Sequence, residues 1–183
     1  MRQFNHFSGY LNLKEKMQRP NISSEGPSDP NRFPMVQKME AKGGKGGKEW
    51  DDGADHEGIS QIYIREGSEG IESIKFDYVK NGQPKAGPTH GCSGQSFTEC
   101  FDLNHTCDEH IVSVKCYFDE GAIQGLVIKT NIRTSAYMGY DVGTTFKVEV
   151  KGKKIIGFHG SSDKILYSLG AYFAPLSPAN LKH

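Results

Sequence analysis

The residues best suited to chemistry in this 183-residue chain begin with a glycine-rich run, Gly43-Gly44-Lys45-Gly46-Gly47-Lys48, followed at once by Glu49-Trp50-Asp51-Asp52. A residue without Cβ lets backbone N–H groups come close to a ligand and takes any φ, a role that Gly46 and Gly47 fit; the same run also serves as a flexible lead-in to a strand. Lys42, Lys45 and Lys48 suggest a phosphate cradle, but no Gly-Lys-Ser/Thr follows and no strand is read before the run, which removes a P-loop. Asp51 and Asp52 resemble an acid pair, yet as neighbours at the start of a strand they would point to opposite faces. His56, His90, His105, His110 and His159 are scattered, none with a nucleophile and an orienting acid in a recognisable pattern. Cys100, Cys107 and His110 leave a zinc site one ligand short at a non-standard spacing. The expectation is a binding protein without catalytic residues, metal or cofactor, and not an enzyme.

The elements that must carry these residues are short. Lys plus Arg and Asp plus Glu number 22 each, so no net field draws the chain to nucleic acid or anionic lipid, and the 36% of apolar residues supply one good core. No stretch approaches the roughly 18 apolar residues of a membrane span, and Met1–Leu13 holds no apolar signal core, so a cytoplasmic protein with Cys92, Cys100, Cys107 and Cys116 as free thiols is expected. In that compartment the sequons Asn21-Ile22-Ser23 and Asn104-His105-Thr106 read as chance. Residues 1–34, with Pro20, Pro27, Pro30 and Pro34 drawing together, read as a flexible extension, either inert or carrying a sticky motif at Phe4, Phe7 and Tyr10. Met35 is an alternative start, the domain spans 35–176, and 177–183 form a C-terminal tail.

Beyond Met35 short runs of Ile, Val, Phe and Tyr are separated by Gly-bearing turns, the pattern of an all-β fold. Ile59–Ile64 and Ile71–Val79 alternate, and Asn81-Gly82 after the second run is a strong type I′ hairpin signal because both residues tolerate positive φ. Ile71–Tyr78 echoes Ile111–Phe118, and Lys154–Gly160 falls at a similar interval, which suggests three units of roughly forty residues with about four short strands each. The echo alone does not separate a prism from a sandwich or a trefoil.

The glycine run with Trp50-Asp51-Asp52-Gly53, then Phe76-Asp77-Tyr78-Val79-Lys80-Asn81-Gly82, Lys129-Thr130-Asn131, Ile155-Ile156-Gly157-Phe158-His159-Gly160 and Leu169-Gly170-Ala171-Tyr172-Phe173 together resemble the jacalin-related lectins of plants. The wording is most similar to the mannose-binding type and to the domains of myrosinase-binding and nitrile-specifier proteins. The resemblance implies a β-prism I fold, three four-stranded Greek-key sheets with pseudo-threefold symmetry, and a sugar site where three loops meet at one end. In the family that site is a Gly-x-x-x-Asp loop whose amides and carboxylate grip adjacent hydroxyls. Aligned on Gly160 and Leu169–Phe173, the glycine position here is Asp163 and the carboxylate position is Tyr167.

The sugar-binding set implied is therefore Gly46 and Gly47, Asp163, Lys164, Ile165 and Tyr167, with Asp119, Glu120 and Gly121 in a third loop that tunes contacts to longer glycans. The Asp163 amide is expected to face the ligand, while its carboxylate either swings into the pocket or caps the turn. Asp119 and Glu120 either accept hydroxyl bonds or form a solvated hairpin tip. Tyr137, Tyr140 and Tyr167 either stack on sugar or pack on strands, and Tyr172 is assigned to packing. The implied function is recognition of mannose- or glucose-type glycans, weak because the carboxylate is missing, with avidity if the chain is a homo-oligomer. The rival is a protein-interaction module that docks on β-glucosidases of the myrosinase type in plant defence complexes. A nitrile-specifier activity would need a further domain for which the chain has no length.

Overall fold

Alternating apolar residues with glycine-bearing turns between them produce an all-β molecule, seen in a computed structural model that describes residues 35–176. The extension assigned to 1–34 and the tail assigned to 177–183 lie outside the described residues. Twelve strands follow in order: β1 (Gln37–Gly43), β2 (Lys48–Asp51), β3 (Gly58–Gly67), β4 (Gly70–Lys80), β5 (Gln83–Gly91), β6 (Glu99–Asp102), β7 (Ile111–Asp119), β8 (Ala122–Thr130), β9 (Met138–Gly139), β10 (Thr144–Glu149), β11 (Lys153–Ser162) and β12 (Leu166–Pro175). They form three four-stranded antiparallel sheets, ordered β1-β12-β11-β2, β10-β7-β8-β9 and β5-β4-β3-β6. This is the expected prism. Each sheet has a central hairpin, and the inward faces of the hairpins share one core that includes Ile62 and Phe76, Cys116 and Leu126, and Phe158 and Phe173. Phe76 and Phe158 stack at 4.1 Å across two sheets, and each fully buried aromatic contributes about 1.5–3 kcal/mol of transfer free energy. Asn81 (φ 53°) and Gly82 (φ 70°) form the type I′ turn that their residue types demand.

The threefold relation is written in three hydrogen bonds. Gly44 N donates to Tyr167 O at 2.8 Å, Cys92 N to Glu72 O at 2.9 Å and Tyr140 N to Gln124 O at 3.0 Å. Each donor follows a glycine in the left-handed region, Gly43 (φ 123°), Gly91 (φ 98°) and Gly139 (φ 81°). A Cβ on any of the three would collide with the carbonyl of the same partner, so the close approach of an outer loop to its hairpin requires glycine there.

Three expectations change. The equivalent strands are β3, β7 and β11, so the echo between Ile71–Tyr78 on β4 and Ile111–Phe118 on β7 pairs strands with different places in their sheets. One sheet is closed by both ends of the described chain, which breaks the repeat out of sequence order. A strand does precede the glycine run: β1 is an exposed edge, so its Gln37-Lys38-Met39-Glu40-Ala41-Lys42 sequence carries no buried alternation to reveal it. Asp51 ends β2 rather than starting a strand.

Candidate functional site

Three loops converge at one end of the prism. Gly44–Gly47 link β1 to β2, Asp119-Glu120-Gly121 make the β7–β8 turn, and Asp163-Lys164-Ile165 make the β11–β12 turn just ahead of Tyr167 on β12. Besides the Gly44–Tyr167 bond, a Cβ on Gly44 would collide with the Gly121 carbonyl, so the first and third loops touch. A Cβ on Gly46 would stand 2.7, 2.8 and 2.9 Å from Cε1, Cδ1 and Cζ of Tyr167. Near-equal distances to three adjacent ring atoms place that point over the ring face and not at its edge. A Cβ on Gly47 (φ 74°) would meet the Ser162 carbonyl carbon at 2.6 Å and Tyr167 Cδ2 at 2.9 Å. The glycine loop thus lies along one face of the Tyr167 ring, and only residues without side chains fit there.

The hydroxyl end of Tyr167 lies toward the next turn. There the Asp163 carboxylate accepts the Lys164 amide and acts on the phenol. The Lys164 amide and then the phenol hold the Asp163 carboxyl below the usual carboxylate range, and the carboxylate pushes the Tyr167 phenol above its ordinary value. Asp163 therefore caps its own turn. Its amide, expected to face a ligand, donates instead to Ile165 O at 3.2 Å, because a tight turn between paired strands uses that N–H internally. Lys164 is exposed and Ile165 half-buried.

In the third loop Asp119 Oδ1 accepts the Glu120 amide at 3.0 Å, and Gln124 Nε2 bridges Asp119 O and Glu69 O at 3.2 Å each. Asp119 and Glu120 stay exposed at the hairpin tip, with Glu120 (φ 48°) and Gly121 (φ 82°) in a left-handed turn. Glu69, on the β3–β4 turn, also acts on the Tyr167 phenol. No local pattern marks Glu69; it arrives from a separate sheet. Tyr137 and Tyr140 are exposed. Tyr172 is not in the core: it lies on the outer sheet face, its hydroxyl donating to Asp51 Oδ2 at 2.6 Å.

The glycine loop also lines a cleft of about 500 Å³, together with Glu40, Glu49, Trp50, Asp51 and Ser161 among others. Trp50 stacks on His90 at 3.7 Å, and His90 Nε2 donates to Asp52 Oδ1 at 2.8 Å. Asp52 also accepts Tyr78 Oη at 2.6 Å and its side chain is 3% exposed, whereas Asp51 faces solvent beside Lys38 at 3.2 Å. The neighbouring acids point apart and each has its own partners. Among the described residues no group of three His, Cys, Asp or Glu is arranged to hold a metal.

The sequence model of the Jacalin-like lectin domain matches residues 39–172, the span of all twelve strands but their extreme ends. The chain belongs to the jacalin-like lectin family. It is similar to Jacalin-related lectin 15 of Arabidopsis thaliana, 79% identical over 154 residues that cover 84% of this chain and 98% of the relative. Among solved structures it is similar to a mannose-specific jacalin-related lectin from Morus nigra in complex with mannose, at 30% identity and a TM-score of 0.67, covering 81% of this chain and 99% of that one. An artocarpin–mannotriose complex is similar at 30% identity and a TM-score of 0.66, covering 78% and 98%. The reading as a non-enzymatic binding fold rests on this membership. For this lectin domain, the three-loop end with Tyr167 at its centre is the candidate site.

Proposed function

We propose that this lectin domain binds carbohydrate of the mannose or glucose type at the three-loop end, weakly for a single sugar. The observation that carries the reading is the convergence of the Gly44–Gly47, Asp119–Gly121 and Asp163–Ile165 loops around Tyr167. The mannose and mannotriose complexes of the structural neighbours support it. Weakness follows from chemistry: Tyr167 offers a single neutral hydroxyl, where a carboxylate would accept two sugar hydroxyls in charge-assisted bonds. Calorimetric titration with mannose tests the placement. Gly47→Ala must shift the loop off Ser162 and the Tyr167 ring, so binding is expected to fall severalfold in a chain that still folds, with stability lowered by about 1–3 kcal/mol. Binding unchanged in that variant would move the site elsewhere.

The same tyrosine favours a second reading, a protein-interaction module for β-glucosidases of the myrosinase type, since it replaces the carboxylate and the amides of the turn are bonded within it. Pull-down from plant extract separates the two readings. A β-glucosidase retained on the domain and not eluted by free mannose supports the second; elution by mannose supports the first.

A further inference from the structure

We infer that Tyr167 turns this site from one that grips hydroxyls into one that stacks on a sugar face, and that its preferred ligand class is β-linked glucosyl residues rather than α-linked mannosyl residues. The inference rests on reading the three-loop end as a carbohydrate site. One face of the Tyr167 ring is covered by the backbone of Gly46 and Gly47. The ring is half-buried, and among the described residues no second aromatic ring or cation is paired with it. Its hydroxyl end lies toward the Asp163 carboxylate of the next turn. The Asp163 amide is spent on Ile165 O, and the Lys164 amide on the Asp163 carboxylate. The polar groups of the turn are thus satisfied internally. What the site presents is a π-face backed on one side by the glycine loop, with the Asp163 carboxylate beside its phenol end.

An aromatic face attracts the weakly positive C–H groups of a pyranose and is repelled by an oxygen pointing at it. A β-D-glucoside carries every substituent equatorially, so both faces of its ring present only axial C–H bonds and its hydroxyls radiate outward toward rim acceptors. An α-D-mannoside has an axial O1 on one face and an axial O2 on the other, so either approach brings an oxygen against the ring. The geometry at Tyr167 therefore favours the glucosyl ring, and the missing carboxylate takes away the contact that would favour mannose.

Methyl β-D-glucoside and methyl α-D-mannoside are titrated separately into the full chain and followed by protein and ligand NMR. The β-glucoside is expected to bind at least about threefold tighter, with upfield shifts at the H1, H3 and H5 face or the H2 and H4 face from the ring current. Tyr167→Phe keeps the ring and is expected to retain the preference; Tyr167→Leu removes the ring and is expected to abolish it. Equal or tighter binding of the α-mannoside, lost in Gly47→Ala, overturns this inference and leaves the carbohydrate site in place. Binding of neither sugar to the chain, or binding that Gly47→Ala does not alter, overturns the site and the inference together.

Discussion

Replacing Glu109 by glutamine changes one atom of a side chain that is 1% exposed. Glu109 Oε1 accepts Thr130 Oγ1 at 3.0 Å and Arg133 Nε at 2.8 Å, while Oε2 accepts the Asn104 amide at 2.8 Å. Both oxygens thus face donors from three segments: the turn ahead of His105–Cys107, the end of β8 and the loop beyond it. An amide supplies one acceptor and one donor, so one of those buried donors must face an N–H. An unsatisfied buried group costs about 1–3 kcal/mol, and a broken buried ion pair about 3–5 kcal/mol. The Arg133 side chain stays 48% exposed and can rehydrate, which places the expected loss near the lower figure, about 2–3 kcal/mol. For a domain of this size that is a melting-temperature drop of about 6–12 °C.

The loss depends on pH. Hydrogen bonds from Arg133, the Asn104 amide and Thr130 hold the Glu109 carboxyl below its ordinary value of 4.5 against the opposing effect of burial. A depressed carboxyl stabilises the fold fully above its unfolded pKa and ceases to do so as pH falls through the folded one. Differential scanning calorimetry of both proteins at pH 7 and across the acid range reads this directly: the gap is full at pH 7 and narrows below 4.5. A gap under about 2 °C at pH 7, or one that does not narrow in acid, would refute the reasoning.

Tyr167→Asp combined with Asp163→Gly restores a two-oxygen acceptor and an open backbone, so mannose affinity by calorimetry is expected to rise at least about tenfold. A folded double variant that still ignores mannose contradicts the placement of the site. Gly91→Ala puts a Cβ against the Glu72 carbonyl at φ 98°, and urea unfolding should show a loss of at least about 1–3 kcal/mol. Gly53→Ala, with open space around its Cβ and φ 76°, should cost less and isolates the backbone strain from the collision. The exposed Cys100 thiol is pushed up to about 11 by burial of its sulfur and the Asp102 carboxylate, so at pH 8 it should react with a thiol reagent much more slowly than a free cysteine. Asp102→Asn should speed that reaction.

Much of this lectin domain is legible in one dimension. Alternation at Ile59–Ile64 and Ile71–Val79 specifies buried strands because a period of two sends every second residue inward, and Asn81-Gly82 specifies its own turn because both residues tolerate positive φ. The ordered motifs from the glycine run to Leu169–Phe173 carry the family, and the glycine and turn residues that meet at one end are recoverable by alignment. The exposed edge β1 is not legible, since an edge strand that turns only Met39 toward the core has no alternation to display. The threefold repeat is misplaced for a topological reason, as β1 and β12 come from opposite ends of the described chain yet lie side by side. The state of the site was likewise decided only in three dimensions. The sequence shows that a tyrosine stands where the family has a carboxylate, but not that its ring is laid on Gly46 and Gly47 with its hydroxyl end toward Asp163. Those contacts join residues about four to more than a hundred positions apart, and such distances close only when the sheets pack on their shared core.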